Sequence, residues 1–452
     1  MTSEKTLREA PLGRLLATLC LPVILVMLVN VLYNMADVFF LGRAGDPLPV
    51  AAVSLAGPVF SVFSAFNTLL GFGACTAASM ALGRGDRKSV RQYSSFCLYA
   101  SLLIGAVCTA VTWAFTQPLV TLLGAEGPMA ELTGQYLRVY ALGAPLAIAA
   151  GSMGNTLRAD GGGKDAVMAA MSGTLVNLLL DPVMISLLGW GVTGAAVATV
   201  LGNGVSFVAI VLAARKKEYC SLSLKDLTLR PQVSLKVLSL GLPMAAGLVL
   251  MSFSSAFANR LLIAYGSEAV AAQGVAGKAG MLVGMIVMGI CMGVQPAVSY
   301  AYGRGDRARL RQVVWGTGLV SAAVGALLGA VFFAARTAFV SAFLPDPTVL
   351  ELGETMVLGT VIAAPLGGVY QICQVYLQGT GKVSYATLTA LLQKGLVYVP
   401  VLYGMHALLG LPGLIFAPAV TDLISTAVGL LLSLRWSRQQ RERSLRPLSS
   451  AA

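Results

Sequence analysis

The string GRGDR occurs twice in this chain, at 83–87 and again at 303–307, an offset of 220 residues. The similarity extends outward, since ALGRGDRKSVRQ at 81–92 matches AYGRGDRARLRQ at 301–312 without a gap. Pro145 and Pro365 are separated by the same offset. Self-similarity at one fixed spacing indicates an internal repeat, so the chain is predicted to be a duplication of about 220 residues.

The composition of the chain indicates a membrane protein. Of 452 residues, 57% are hydrophobic and 11% charged, and the mean hydropathy is +0.79. A water-soluble fold needs more polar surface than this. Apolar runs of about 20 residues or more, each able to cross a hydrocarbon core of about 30 Å, follow one another along the chain. They predict an all-α polytopic membrane protein with twelve spans, at 15–41, 51–82, 94–116, 130–157, 165–188, 191–213, 236–264, 270–302, 313–335, 350–378, 383–408 and 411–434.

Each repeat contains six predicted spans, an even number, so both copies should enter the bilayer in the same orientation. Parallel repeats of this kind are one of the known transporter plans, and two like lobes would enclose a central cleft. The predicted divisions are an N-terminal tail at 1–14, a first lobe at 15–213, a linker at 214–235, a second lobe at 236–434 and a basic tail at 435–452.

The net charge of +12 reflects topology rather than nucleic-acid binding. All but six of the 31 lysines and arginines lie in or beside segments on one predicted side, while the opposite loops keep only Arg43 and Arg336. This bias is the positive-inside signal, which predicts an inner (plasma) membrane protein with both termini cytoplasmic. No basic stripe alternates with aromatic residues, so no nucleic-acid partner is expected. The first apolar run is too long for a cleaved signal peptide.

Sixteen of the nineteen acidic residues fall in loops, tails or the ends of spans, which leaves Asp37, Asp181 and Asp422 inside the predicted spans. A charged carboxylate near the bilayer centre costs about 2.5–3.5 kcal/mol even on insertion scales, so each is a functional candidate.

Two short motifs surround the first two of these acids. YNMAD places Asn34 and Asp37 on one helix face, and NLLLD does the same for Asn177 and Asp181. Thr199, in span 6, lies at a similar predicted depth. Carboxylate, amide and hydroxyl oxygens suit a hard cation such as Na⁺, and no transition metal or other cofactor is expected. The same carboxylates could exchange a proton, or the group could be a structural hydrogen-bond cluster.

Asp422 has no acidic partner in its own lobe. It could bind a cationic substrate, pair with Lys278 or Lys394, or serve as a satisfied packing group, and the ion pair is the favoured interpretation. His406 is the only histidine, and a hydrogen-bonded interior role is favoured over a proton relay.

Aromatic residues in the first lobe offer a second kind of contact. Tyr33, Tyr136 and Tyr140, with scattered Met and Phe, would suit flat apolar cations through π contacts and soft packing. The alternative is that these side chains face lipid or neighbouring helices.

Together the twelve spans, YNMADVFFLG, NLLLDPVMI and the repeated GxGD turn resemble the multidrug and toxic compound extrusion (MATE) family over about residues 10–435. The resemblance is to the prokaryotic branch with its ion site in the first lobe. It implies that Asp37, Asn177, Asp181 and Thr199 serve Na⁺ or H⁺ coupling, with Tyr136 nearby. It also implies antiport, in which the ion enters as an organic, usually cationic, compound leaves. Relatives of another branch carry second-lobe acids on spans 7 and 10. Those spans have none at depth here, so only Asp422 could supply such a site.

The expected function is therefore secondary active multidrug efflux by alternating access, with drug-like small molecules and the lipid bilayer as partners and a monomer as the working form. The alternative is a lipid-linked saccharide flippase of the same superfamily, which would want a more basic cleft. An enzyme is not expected, because the chain has neither HExxH nor GxSxG.

The repeated turn yields local predictions as well. Gly83 and Gly303 are expected to end their helices in left-handed caps, and Asp86 and Asp306 to cap the helices that follow. An RGD adhesion motif must face outward, whereas both turns are predicted to lie inside. Prolines within the spans, among them the equivalent Pro22 and Pro243, are expected to favour kinks.

Overall fold

A computed structural model describes the backbone of residues 3–42, 47–343 and 347–445, and the side chains of 5–29, 48–266, 268–343, 349–440 and 442. The helices that precede the linker are α1 (Ser3–Glu9), α2 (Leu12–Gly42), α3 (Pro47–Leu55), α4 (Gly57–Gly83), α5 (Arg87–Ala114), α6 (Thr116–Leu122), α7 (Gly127–Leu142), α8 (Ala144–Leu157), α9 (Gly163–Asp181) and α10 (Gly191–Arg215). The helices that follow it are α11 (Pro231–Ile263), α12 (Ser267–Gly293), α13 (Gln295–Arg304), α14 (Arg307–Ala334), α15 (Arg336–Ser341), α16 (Pro347–Val361), α17 (Ala364–Gly379), α18 (Val383–Leu391), α19 (Tyr398–Leu409) and α20 (Leu411–Leu445).

Within the described residues, 11 helical segments are long and apolar enough to cross a membrane. The bent pair of α7 and α8, which meet at 53°, raises the number to 12. No strand occurs in this part of the chain. The all-α polytopic fold is therefore confirmed.

Two spans break at equivalent prolines. Pro145 is the second residue of α8 and Pro365 the second of α17. Proline suits the first turn of a helix because its missing N–H would have no partner there. Pro22 and Pro243, by contrast, lie inside the unbroken helices α2 and α11.

Two short π-helical segments interrupt the regular helices, one at Pro182–Leu187 after α9 and one at Leu392–Leu396 between α18 and α19. The Leu188 amide donates to the Val183 carbonyl at 2.9 Å, and the Val397 amide to the Leu392 carbonyl at 2.9 Å. Such i→i+5 turns are rare and occur often at functional sites. Each segment is associated with a charged residue. Asp181 directly precedes the first segment, and Lys394 lies within the second.

The chain separates into two compact units. Unit 1 comprises Met1–Val249 with Ser299–Arg309, and unit 2 comprises Leu250–Val298 with Leu310–Ala452. The lobes at 15–213 and 236–434 remain a prediction from the repeat.

Both GRGDR turns end their helices with the same hydrogen bonds. The amide of Asp86 donates to the Ala81 carbonyl at 3.0 Å, and that of Asp306 to the Ala301 carbonyl at 3.0 Å. This pattern requires a left-handed residue just before the aspartate, and Gly85 (φ 76°) and Gly305 (φ 78°) supply it. The prediction that Gly83 and Gly303 are the left-handed residues was wrong, because Gly83 is the last residue of α4 and Gly303 the second-last of α13.

Gly83 and Gly303 have a different role, at a helix crossing in unit 1. A Cβ atom on Gly83 would lie 2.2 Å from the Tyr300 carbonyl oxygen, and one on Gly303 would lie 2.1 Å from that of Met80. Met80 and Tyr300 are themselves equivalent in the repeat. Backbones of α4 and α13 thus touch at a site that only glycine permits, and we call these four residues the glycine crossing.

The N-cap prediction for the turns is confirmed. Asp86 Oδ1 accepts from the Ser89 amide at 3.1 Å, and Asp306 Oδ1 accepts from the Arg309 amide at 2.9 Å. Ser89 Oγ adds a second bond to Asp86 at 2.6 Å. These bonds from Ser89 hold the pKa of the Asp86 carboxyl below its ordinary value.

Replacing Asp86 by alanine should destabilise the first turn of α5 by about 1 kcal/mol, since it removes the acceptor for the Ser89 amide. We expect faster hydrogen exchange at that amide, measured by mass spectrometry. The stabilisation should be complete at neutral pH and be lost only on acidification through the lowered pKa of Asp86. Glu126→Ala is the control, because Glu126 precedes α7 without a side-chain cap bond. An equal increase in amide hydrogen exchange in both variants would contradict the capping role of Asp86.

The linker between the repeats is bound to α5. Ser95 Oγ donates to the Ser223 carbonyl at 2.8 Å, and Tyr99 Oη to the Leu222 carbonyl at 2.8 Å. Arg91 forms an ion pair with Asp226 at 3.1 Å. Burial beside these contacts raises the pKa of the Cys220 thiol to about 12, so this cysteine stays protonated at neutral pH.

Candidate functional site

Three of the predicted site residues meet where α9 packs against α10 in unit 1. Asn177 and Asp181 lie one turn apart on α9, and Thr199 lies on α10. Their side chains are buried, with exposed fractions of 2%, 0% and 6%. The two helices are also joined by Ser206 Oγ, which donates to the Ala169 carbonyl at 3.1 Å.

Asn177 is at the centre of this cluster. Its Nδ2 donates to Asp181 Oδ1 and to Thr199 Oγ1, both at the long distance of 3.5 Å. Thr199 Oγ1 donates in turn to the Ala195 carbonyl at 2.9 Å. The Asn177 amide oxygen is buried and has no hydrogen-bond partner among the described residues. A buried acceptor without a donor carries a free-energy penalty that a cation or a proton donor would remove.

The donor set of this cluster is entirely oxygen: one carboxylate, one amide and one hydroxyl. Hard cations such as Na⁺ prefer these ligands, whereas transition metals favour thiolate and imidazole. A carboxylate can bind a proton as well as a metal cation. The arrangement therefore fits either ion.

The span 1 candidates lie on α2. The side chains of Tyr33, Asn34 and Asp37 lie outside the described residues. The backbone of α2, which carries them, packs against α9. Convergence of Asp37 with Asp181 remains a prediction.

An aromatic cluster of Phe60, Phe63, Tyr136 and Tyr140 joins α4 to α7. The Tyr140 ring lies 4.3 Å from that of Phe60, 5.7 Å from that of Phe63 and 5.9 Å from that of Tyr136. Tyr136 packs in the same core as Ile185, which belongs to the π-helical segment after Asp181. The aromatic and oxygen clusters thus lie on neighbouring helices, since α7 packs against α10. Sequence reasoning missed the two phenylalanines, although their i, i+3 spacing on α4 could have indicated them.

In unit 2, Asp422 does not form the predicted ion pair. Its Oδ1 accepts instead from Gln393 Nε2 at 2.8 Å. Lys278 lies over the Phe343 ring at 4.5 Å. Gln393, in the π-helical segment Leu392–Leu396, therefore occupies the position beside Asp422 that was predicted for a lysine. The sequence did not indicate Gln393, because its side chain is uncharged.

His406 lies beside Tyr265, whose hydroxyl is 3.1 Å from the Nδ1 atom. The predicted hydrogen bond is present, but the prediction of an interior position was wrong, because the bond is exposed and His406 is only half-buried.

The sequence model of the MatE family matches residues 22–183 and 243–403, once in each repeat. The chain is 27% identical to the multidrug export protein MepA of Staphylococcus saprophyticus, over 91% of each chain. It is 28% identical to MepA of Staphylococcus haemolyticus, over 94% of this chain and 95% of the relative.

Solved structures share the fold. A MATE protein in the bent conformation superposes with a TM-score of 0.91 at 24% identity, covering 98% of this chain and 99% of that one. The straight conformation gives 0.90 at 23%, with the same coverage. With a family match that spans both repeats, and a fold shared over almost the whole chain, the protein belongs to the MatE family of membrane transporters.

Proposed function

We propose that this transporter is a secondary active multidrug exporter that couples efflux of organic compounds to the entry of Na⁺ or H⁺. The observation that carries the proposal is the buried oxygen cluster of Asn177, Asp181 and Thr199. It occurs in a chain whose relatives are named multidrug export proteins. Asp37 would complete the cluster from span 1.

Burial of Asp181 supplies the physical basis for coupling. A fully buried carboxylate is stable when a cation or a proton neutralises it, and costly when it is bare. Ion binding then favours one conformation and substrate binding another, so that each ligand lowers the affinity for the other. This linkage is sufficient for antiport without any covalent chemistry.

The aromatic cluster gives the proposal a substrate class. Stacked tyrosine and phenylalanine rings attract flat, apolar cations through their π faces. Because α7, which carries the two tyrosines, packs against α10, which carries Thr199, a bound compound and a bound ion would act on neighbouring helices. The positive-inside bias supports cytoplasmic termini in the inner membrane, and a monomer contains every residue proposed here.

The test uses purified full-length protein in lipid vesicles, with Na⁺ and pH gradients imposed separately. We expect one of the two gradients to drive uphill movement of cationic dyes and the other to have little effect. Dye movement that ignores both gradients would contradict coupling. Transport of a lipid-linked saccharide, without any dye transport, would instead favour the flippase alternative.

A further inference from the structure

The inner end of α4 is enclosed on every side. Each residue from Leu70 to Leu82 is buried, over about three and a half helical turns. A helix that is buried all round is surrounded by other parts of the protein rather than by lipid. The glycine crossing forms one side of this enclosure. Another side is α11, since a Cβ atom on Gly73 would lie 2.0 Å from the Val237 carbonyl oxygen. The positive-inside bias predicts that this end faces the cytoplasm, so the described conformation is closed there.

The N-terminal segment is fastened to a helix of the second repeat at this same end. Arg309, in the first turn of α14, donates from Nη2 to the Ala10 carbonyl at 2.6 Å and from Nε to the Leu7 carbonyl at 3.4 Å. These carbonyls lie at the C-terminal end of α1, where the helix dipole favours a cation. Leu7 and Ala10 are buried, each 2% exposed. We call residues 7–10 with Arg309 the inner strap.

The inner strap connects the two repeats at short range. Because α1 ends at Glu9 and α2 begins at Leu12, the Cα atom of Ala10 is at most about 7 Å from the start of α2. α2 packs against α9 of the first repeat. α14 packs against α17 of the second repeat, where Ser321 Oγ donates to the Gly368 carbonyl at 3.3 Å. The inner ends of α2 and α14 therefore cannot move far apart while the inner strap is bound.

The linker occupies the equivalent place in front of the second repeat, but its attachment is looser. The tripeptide TLR precedes a proline in both segments, at 6–8 and at 228–230. Asp226 of the linker pairs with Arg91 of α5, which belongs to the first repeat. α11 begins only at Pro231, so the chain between this ion pair and α11 can extend to about 18 Å. Of the two segments, the inner strap is the one short enough to hold the inner end closed.

We propose that the inner strap keeps the cytoplasmic end of the transporter closed and must release before that end opens. The proposal rests on the proposed export function, because alternating access requires the inner end to open in each cycle. Charge-assisted hydrogen bonds from one guanidinium to two carbonyls stabilise the bound inner strap, so they bias the protein toward the closed conformation. The residue equivalent to Arg309 in the first repeat is Ser89, which bonds to Asp86 instead. The device therefore belongs to one repeat only.

The first test is hydrogen exchange, measured by mass spectrometry on full-length protein in lipid vesicles. We expect Arg309→Gln to raise the exchange rate at 70–82 about tenfold, since losing a charge-assisted interaction shifts the conformational equilibrium by about that factor. Arg311→Gln is the matched control, because it removes the same charge from an exposed position of α14 and should change nothing at 70–82. Unchanged exchange at 70–82 in Arg309→Gln would overturn the proposal. An equal rise at 105–114, in the outer half of α5, would overturn it too, because it would show general destabilisation.

The second test locks the inner strap. Glu9 and Ala308 are exposed and directly precede the bonded residues Ala10 and Arg309, so cysteines at both positions can be joined by a cleavable bismaleimide. Locked protein should lose dye efflux, and reductant should restore it. Ala308→Cys alone, treated identically, should keep its efflux. Efflux that persists in locked protein would overturn the proposal, even if Arg309→Gln does not fold. Wild-type protein that moves no dye would count against the export function instead, and hydrogen exchange would then decide on the inner strap.

Discussion

Replacing Asp181 by asparagine should lower ion-driven efflux by about 10-fold to 100-fold, since a buried charge-assisted interaction is worth about 1.5–3 kcal/mol. Asparagine has nearly the same shape, so the Asn177 and Thr199 contacts can persist while the charge that binds the ion disappears. The measurement is initial dye efflux in vesicles under the gradient that drives the wild type. Downhill dye movement without a gradient should change less.

The control for this substitution lies on the same helix. Asp165→Asn, at the start of α9, breaks an ion pair with Lys217 at 2.6 Å that is partly exposed and far from the cluster. Its efflux should stay close to wild type. Asp37→Asn should match the loss in Asp181→Asn, and the double variant should be little worse than either single one if both bind one ion. Gradient-driven efflux that survives in Asp181→Asn would sink the coupling mechanism.

Replacing Gly83 or Gly303 of the glycine crossing by alanine should destabilise unit 1 by about 1–3 kcal/mol in each case. The reason is steric, because a Cβ on Gly83 or Gly303 would stand 2.2 Å or 2.1 Å from a carbonyl oxygen of the facing helix. Backbone atoms cannot move aside without separating α4 from α13. We expect a lower unfolding temperature for purified protein and a lower rate of dye efflux.

Gly163→Ala is the matched control, because nothing lies within 4 Å of the Cβ position there. Alanine favours the helix over glycine, so this variant should be as stable as the wild type or slightly more stable. The double variant Gly83→Ala with Gly303→Ala should cost less than the two single effects added together, since the first substitution already separates the helices. Full additivity would show that the two glycines act at independent contacts.

The repeat offset made much of this fold predictable, since a cap inferred for Asp86 applied equally to Asp306. Spacing within NLLLD likewise predicted that Asn177 and Asp181 share a face. The left-handed glycines were misplaced by two residues, because composition does not show where a helix hydrogen-bond pattern ends.

Other features depend on contacts that no local pattern encodes. The π-helical turn at Leu392–Leu396 arises from a one-residue shift in backbone bonding, and it determines that Gln393 meets Asp422. The bond of Ser95 to Ser223 joins residues 128 positions apart. Neither of these two contacts produces a periodic pattern in the sequence, so neither could be predicted without the structure.

The reciprocal geometry of the glycine crossing has an evolutionary consequence. Met80 of the first repeat contacts Gly303 of the second, and the equivalent Tyr300 of the second repeat contacts Gly83 of the first. The contact is therefore reciprocal, as in a self-complementary interface between identical subunits. A half-length ancestor of about 220 residues could therefore have made this contact with a second copy of itself, around a two-fold axis. Fusion of two gene copies would then have retained this interface. The covalent linker would have made the association of two separate chains unnecessary.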